Sequence, residues 1–182
     1  MATYKEIHGV KVQYRDSDAT AIEGDVWYNS STGLLRMYAS LGSWASGGAL
    51  NTARQNLGGC GTQTAGIAFS GFTTANVGET ETYDGSSWTE VADLNTDRRI
   101  MGSAGTSTAA LCIGGYISGE SGVVEKWDGS SWTEVGDLTT ARRTRGLGTN
   151  TAALAVGGRS PGYVAITEKW NGTSWTEVGD LN

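Results

Sequence analysis

The sequence predicts an all-β protein built from repeated four-stranded units, and three observations support this. The 182 residues include 28 Gly and only 1 Pro, a composition that disfavours helices and supplies many tight turns. Aromatic residues make up 9% of the chain, too many for a disordered linker. Trp44, Trp88, Trp132 and Trp175 lie 44, 44 and 43 residues apart, which is the length of one four-stranded blade of a β-propeller.

Each repeat contains four segments with strand character, in a constant order. The first follows a Thr-x-Arg motif, and the second is a run of small apolar residues that ends at paired glycines. The third ends in an aromatic residue, and the fourth is Trp-Thr-Glu-Val. An Asp-Gly or Asn-Gly pair between the third and fourth segments is a strong signal for a β-hairpin. We therefore expect four strands per repeat, with the small residues of the first two strands near a central axis.

The residues that mark the repeat recur at fixed offsets. They are the glycines Gly114, Gly115, Gly157 and Gly158, the tryptophans Trp88, Trp132 and Trp175, the turn residues Asp84 and Asp128, and the arginines Arg54, Arg98 and Arg142. In this order the motif resembles the Kelch repeat over residues 44–182. The resemblance implies Kelch-like β-propeller blades at 44–87, 88–131 and 132–174, a partial unit at 175–182, and a structural role for the glycines and aromatic residues.

The N-terminal segment, residues 1–43, is expected to be a β-hairpin attachment module or a divergent first blade. Its residues 22–38 (IEGDVWYNSSTGLLRMY) predict a strand at Asp25–Tyr28, a turn, and a returning strand at Leu34–Tyr38. This segment resembles a hairpin module of phage tail and fibre proteins, and the repeats resemble the Ser-, Thr-, Ala- and Gly-rich Kelch-like repeats of tailed-bacteriophage structural proteins. The two resemblances imply a virion protein, made in the host cytoplasm, in a tail appendage or fibre.

Three complete repeats do not close a propeller, because closed rings have at least four blades. One alternative is a divergent fourth blade in residues 1–43, with further strands near Val10–Tyr14 and Ser43–Ala45. Another is a ring shared between chains, for example two chains with three repeats each. A third is that the chain is a shortened form of a longer protein. We expect contacts with further copies or with other virion proteins to complete the ring.

Charge and hydropathy exclude other classes of partner. The net charge of −6 leaves no surplus of Lys and Arg to neutralise phosphates, so no nucleic-acid partner is expected. The sequence has no 18-residue apolar run and no secretory signal, so membrane insertion is not expected either.

No catalytic site, metal or cofactor is predicted, and we expect a non-enzymatic protein. Cys60 and Cys112 have no neighbouring ligand residues and are interpreted as small buried residues. The single histidine, His8, does not supply the imidazole pair that copper needs. The recurring carboxylates would be spread around a ring instead of converging as in a glycosidase: Glu90, Glu134, Glu177, Asp93, Asp137 and Asp180. An acidic cluster without EF-hand spacing is interpreted as a solvated loop: Asp16, Asp18, Glu23 and Asp25.

Two features are candidate binding elements. The repeated arginines either bridge blade carbonyls or pair with Asp or Glu of the following blade in a structural role, or they form a ring at one mouth that receives an anionic sugar or a partner's acidic patch. Three segments vary while the scaffold repeats, and recognition usually lies in such loops: Phe72–Val77, Tyr116–Val123 and Arg159–Val164. The candidate contact residues are Tyr116, Ser118, Glu120, Arg159 and Tyr163, for a host-surface glycan or protein. The alternative function is a carbohydrate-binding, lectin-like propeller.

Overall fold

The computed structural model of the chain describes residues 13–17, 25–37 and 45–182. These residues form 15 strands in four sheets and contain no helix, which confirms the all-β prediction for this part of the chain. The chain divides into two compact units, Met1–Ser46 and Gly47–Asn182.

The first unit contains a three-stranded sheet of β1 (Gln13–Arg15), β2 (Val26–Asn29) and β3 (Leu34–Met37). The predicted hairpin is present as β2 and β3, and its turn is held by the Gly33 N–H, which donates to the Asn29 carbonyl at 2.8 Å. However, β1 runs parallel to β2. The described strands of this unit therefore differ from an antiparallel blade. Other predicted features lie outside the described residues: residues 10–12, residues 43 and 44, His8, Asp18 and Glu23.

The second unit contains three blade-like sheets, each a four-stranded antiparallel meander. The first sheet is β4 (Gly58–Thr62), β5 (Ala65–Phe72), β6 (Asn76–Tyr83) and β7 (Trp88–Val91). The second is β8 (Gly102–Thr106), β9 (Ala109–Tyr116), β10 (Glu120–Trp127) and β11 (Trp132–Glu134). The third is β12 (Arg143–Gly148), β13 (Ala153–Ser160), β14 (Gly162–Trp170) and β15 (Trp175–Val178).

The boundaries of the sheets differ from the boundaries of repeats that are counted from one tryptophan to the next. Each Trp begins the last strand of a sheet, so the segment interpreted as a partial repeat at 175–182 supplies the fourth strand of the third sheet. The repeated arginines also lie ahead of the first strands, because β4 begins at Gly58 and β8 at Gly102. The repeat motif therefore predicts the strands of each sheet better than it predicts the sheet boundaries.

The paired glycines allow a bulge between the second and third strands. Gly114 and Gly115 have φ values of 58° and 119°, and the register between β9 and β10 shifts near them, between Ser121 and Val124. The left-handed region favours glycine because it lacks a Cβ. Ser70 occupies the same position in the first sheet with φ 62°, and its hydroxyl donates to the Arg98 carbonyl.

Each sheet has two different faces, and these pack against each other in chain order. The leading face, on the side of the preceding sheet, carries small residues and an aromatic pair, which is Tyr83 and Trp88 in the first sheet and two tryptophans in the others. The trailing face carries larger aliphatic or aromatic residues. Between the first and second sheets, Ile67, Phe69, Leu94 and Met101 pack against Ala110, Cys112, Trp127 and Trp132. Between the second and third sheets, Leu111, Ile113, Val124 and Leu138 pack against Ala153, Ala155, Trp170 and Trp175. The apolar core of this unit therefore lies between the sheets.

The first strands of neighbouring sheets approach each other closely. The Ser103 hydroxyl donates to the Gly59 carbonyl at 2.8 Å across the first pair of sheets. Across the second pair, a Cβ added at Gly146 would lie 2.6 Å from the Ser103 carbonyl oxygen. Small residues are therefore needed in these strands because backbone meets backbone there.

We expect Gly146→Ala to lower the free energy of unfolding by about 1–3 kcal/mol, because the added methyl group must displace the backbone of β8. Gly162→Ala is the matched control, since a Cβ at Gly162 meets nothing within 4 Å. Urea denaturation of both variants measures the difference. An equal loss in the two variants would contradict the close approach of the strands.

Candidate functional site

A buried arginine–glutamate pair recurs in all three sheets of the second unit. The Arg98 Nη1 atom lies 2.8 Å from Glu125 Oε1, and both side chains are 0% exposed. Arg54 pairs in the same way with Glu81, and Arg142 pairs with Glu168. In each case the arginine precedes the sheet and the glutamate lies on its third strand. The guanidinium groups are therefore enclosed by the sheets, which places them away from any surface-bound anionic sugar.

The same glutamates accept backbone N–H groups from the segment that leads into the sheet. The N–H of Asn95 donates to Glu125 at 2.8 Å, and those of Asn51 and Thr139 donate to the corresponding glutamates at 2.7 and 2.8 Å. Each carboxylate thus holds both the arginine and the backbone of this segment.

These hydrogen bonds decide the ionisation of two of the glutamates. Burial acts to raise the pKa of Glu81, but the N–H of Asn51 and the guanidinium of Arg54 outweigh it, and the pKa lies below its usual value. Burial also acts to raise the pKa of Glu168, where Arg142 and Thr139 lower it. Both carboxylates therefore stay ionised at neutral pH.

Sequence reasoning did not select these glutamates, although a signal for them exists. Each stands two residues before the aromatic residue that ends the third strand, at Tyr83, Trp127 and Trp170. A glutamate and an arginine that recur together at fixed offsets indicate a paired structural role.

The two cysteines are free and differ in exposure. Cys112 is buried, and the Arg98 Nε atom lies 3.3 Å from its Sγ. Burial raises the pKa of Cys112 to about 11 although Arg98 acts to lower it, and burial raises the pKa of half-buried Cys60 to about 11 as well. Both thiols are therefore protonated at neutral pH, which makes them poor nucleophiles and metal ligands.

The repeated aspartates also serve the backbone. Asp93, Asp137 and Asp180 each accept a backbone N–H from the third strand of their sheet, at 3.2, 3.2 and 3.1 Å. Asp84 and Asp128 close the turns before the Trp strands, where each accepts two serine N–H groups at 2.8 Å. The exposed acids Glu90, Glu134 and Glu177 each lie on a different sheet.

The acidic cluster of the first unit is only partly described. Asp25 pairs with Arg15 at 3.0 Å, while Asp18 and Glu23 lie outside the described ranges. Within those ranges, no group of three or more His, Cys, Asp or Glu side chains is placed to hold a metal ion.

A surface that we call the loop rim is formed by three hairpin ends of the second unit, residues 72–76, 116–120 and 159–163. At this surface, aromatic side chains and arginine side chains alternate and link neighbouring sheets. The guanidinium carbon of Arg99 lies 4.4 Å from the ring centroid of Phe72 and 4.9 Å from that of Tyr116. Arg143, at the start of the third sheet, has its guanidinium carbon 4.3 Å from the Tyr116 ring centroid of the second sheet. Its Nη2 atom also lies 3.2 Å from Glu120 Oε1. Cation–π contacts therefore tie the sheets together at this end.

The rim places the five candidate contact residues in two environments. Tyr116 and Glu120 contact the arginines that link the sheets, so they are partly occupied by structural contacts. Ser118 is exposed in the turn of the second sheet, and Arg159 is exposed on the third. Tyr163 is 96% exposed. The structure brings all five to one rim but leaves only these last three facing outward.

The segments predicted as variable loops are mostly strand. β5 extends to Phe72 and β9 to Tyr116, and the next strands begin at Asn76 and Glu120. Residues 73–75, residues 117–119 and Pro161 remain as turns. The side chains in these segments differ between repeats although the backbone is regular β-strand. Backbone hydrogen bonds between strands do not require particular side chains, so a variable sequence does not indicate a loop.

Comparison with known proteins leaves the family open. No protein-family model matches the chain, and no curated protein sequence matches it. In the part of the chain that the structure describes, no helix is long and apolar enough to cross a membrane.

We expect Arg98→Met to lower the free energy of unfolding by about 3–5 kcal/mol, because the Glu125 carboxylate would stay buried without its counter-charge. The matched control is Arg143→Met, whose ion pair with Glu120 has side chains 23% and 20% exposed. Its loss should be about 1–2 kcal/mol, because a partly exposed ion pair and one cation–π contact with Tyr116 are removed. Chemical denaturation measures both, and equal losses would show that the buried pair has no special role.

The turn aspartates predict a pH dependence of stability. Hydrogen bonds from the N–H groups of Ser87 and Ser131 are the main cause that lowers the pKa of Asp84 and Asp128 to about 2. A lowered pKa in the folded state adds stability that is present above about pH 4, the unfolded value, and is lost as the pH falls toward 2. We expect the double variant Asp84→Asn/Asp128→Asn to lose less stability than the wild type over this interval.

Asparagine is a suitable replacement because Asn171 already makes this turn in the third sheet, where its Oδ1 accepts the N–H groups of Thr173 and Ser174 at 2.9 Å. Urea midpoints at pH 7, 4 and 2 measure the effect. Identical acid slopes for the wild type and the double variant would contradict it.

Proposed function

We propose that the protein is a non-enzymatic structural component of a tailed-phage virion, built from Kelch-like propeller blades in a tail appendage or fibre. In this role it would assemble with copies of itself and with other virion proteins, and present its loop rim to a partner or to the host surface. The observation that carries the proposal is a division of labour. The recurring arginine–glutamate pairs are buried within the sheets, whereas Ser118, Arg159 and Tyr163, which differ between repeats, face outward at the rim.

The use of the recurring polar groups favours a scaffold over an enzyme. The repeated arginines bind the repeated glutamates, and the aspartates accept backbone N–H groups. A catalytic carboxylate pair would need two acids that converge on one substrate. Here the buried glutamates and the aspartates that follow the Trp strands are matched to donors of the second unit, and the exposed acids Glu90, Glu134 and Glu177 lie on three different sheets.

The composition of the rim supports a recognition role. Ile117, Ser118, Arg159 and Tyr163 are exposed there on strands and short turns. Tyrosine and arginine are enriched in binding hot spots because they combine apolar area with directional hydrogen bonding. A host-surface glycan or protein fits these groups.

The first unit supports an attachment role. Tyr14, Leu35 and Met37 are more than half exposed on its small sheet. Exposed apolar patches on small sheets mark interaction sites in soluble proteins. In a virion, this surface would contact another structural protein.

Purified particles of the virus that carries this sequence provide the test. We expect mass spectrometry to detect the chain in intact virions, and antibody-gold labelling to place it on the tail and not on tail-less heads. Absence of the chain from particles would contradict the proposal. A chain that is absent from particles but binds one glycan class on an array would support the lectin alternative.

The rim provides a second arm of the same experiment. The double variant Ile117→Ala/Ser118→Ala should lower binding of fluorescently labelled protein to host cells without lowering the melting temperature, because both side chains are exposed. Thr89→Ala, at an exposed position of β7 outside the rim, is the control and should bind as the wild type does. Unchanged binding by the rim variant would show that this turn is not the recognition surface.

A further inference from the structure

The third sheet leaves uncovered a face that is covered on the first and second sheets. Leu50, Leu94, Leu138 and Leu181 occupy the same position of the repeat, and Leu50 lies in the segment that leads into the first sheet. Leu94 and Leu138 are 5% and 6% exposed beneath the following sheet, whereas Leu181 is 55% exposed. Leu154 follows the same pattern, since it is exposed while its equivalents Ile67 and Leu111 are buried. The trailing face of the third sheet therefore lacks the neighbour that its residues are suited to.

The first sheet shows the opposite defect on its leading face. Trp88 is half-buried, whereas its equivalents Trp132 and Trp175 are buried between sheets. A groove of about 430 Å³ lies on this face, lined by Gly66, Ala68, Tyr83 and Trp88 among others. At the same positions, the second sheet has Ala110, Cys112, Trp127 and Trp132, which receive the large residues of the first sheet.

We infer that the trailing face of the third sheet packs against the leading face of the first sheet of a second copy, and that two chains thereby close one ring of six sheets. In this contact Leu154 and Val156 occupy the places that Ile67 and Phe69 take on the second sheet. The place of Leu94 is taken by Leu50 of the second copy, because the Asn51 N–H already donates to Glu81 there as the Asn95 N–H donates to Glu125. Residues 179–182 of the first copy leave this position when the ring closes. The contact thus repeats an arrangement that the chain already makes twice.

The backbone supports the same register. The N–H of Gly71 donates to the Arg98 carbonyl at 3.0 Å, and that of Gly115 donates to the Arg142 carbonyl at 2.9 Å. Gly158 is the equivalent residue of the third sheet, and Arg54 is the equivalent arginine of the first. In the ring, the Gly158 N–H donates to the Arg54 carbonyl of the second copy.

A second copy is the occupant because one molecule carries both halves of the contact. A two-fold arrangement uses both exposed faces of both chains and leaves no open end. Two copies give six sheets, within the usual range of about four to eight blades, whereas three copies give nine. The inference rests on the propeller interpretation in the proposed function but not on the virion role. A monomeric protein would overturn the ring, and only the particle experiment decides the virion role.

The test is the mass of the full chain by light scattering after size exclusion. We expect twice the 19.0 kDa of one chain. Leu154→Asp charges the trailing face at an exposed position, and Gly66→Glu fills the leading groove, where an added Cβ meets nothing closer than 3.5 Å. Each variant alone should have the mass of one chain with an unchanged circular dichroism spectrum. Ser118→Asp adds a charge in an exposed rim turn and should remain dimeric.

Mixing the two variants tests the head-to-tail arrangement. The Leu154→Asp chain keeps its leading face, and the Gly66→Glu chain keeps its trailing face, so an equimolar mixture should form pairs through one intact contact. A wild-type monomer would overturn the inference. So would a dimer that persists in Gly66→Glu, because a contact between two trailing faces does not involve the groove. If the wild type is a monomer and Leu154→Asp destabilises it, the trailing face is covered by the chain's own first unit. This result would also overturn the two-chain ring.

Discussion

The buried glutamate on the third strand of each sheet is the constraint on which the second unit depends. Moving a carboxylate out of water costs several kcal/mol unless a counter-charge and hydrogen bonds replace the solvent. Here the replacements come from one connecting segment, which supplies both the arginine and a backbone N–H. The arginine reaches further, since Arg142 also donates to the carbonyls of Gly157 and Ala155 at 3.1 Å. The path of the chain into each sheet is therefore set by satisfaction of one buried charge.

The two interfaces between sheets have similar apolar contacts, but the first has a hydrogen bond that the second lacks. The Trp132 indole N–H donates to the Thr80 hydroxyl at 3.0 Å between the first and second sheets. Val124 stands in the equivalent place on the second sheet, and the Trp175 indole N–H has no hydrogen-bond partner among the described residues. An unsatisfied buried donor costs about 1–3 kcal/mol. The interface between the second and third sheets therefore lacks a stabilising contact that the preceding interface has.

The sequence predicts the strands of this unit because their signals are local. Asp-Gly turns, small apolar runs and paired glycines each constrain the backbone within a few residues. The burial of Glu125 was not predictable in this way, because a charged residue in a strand suggests exposure until its arginine partner, 27 residues away, is placed beside it. The prediction that the rim segments are loops was wrong for another reason. Their sequences vary between repeats, but Tyr116 and Glu120 still pair across a regular ladder.

The rim performs two tasks, and the position of a residue in the chain decides which one it performs. Tyr116 and Glu120 contact Arg143 because a third sheet follows the second. Their equivalents on the third sheet are Arg159 and Tyr163, which are exposed because none of the described sheets packs beside them. In a two-chain ring these residues would meet Gln55 of the second copy, which occupies the position of Arg99 and Arg143. The turn at 117–119 lies on the middle sheet, away from both ends. Its exposure is therefore independent of assembly, which makes it the part of the rim where recognition and ring closure do not compete.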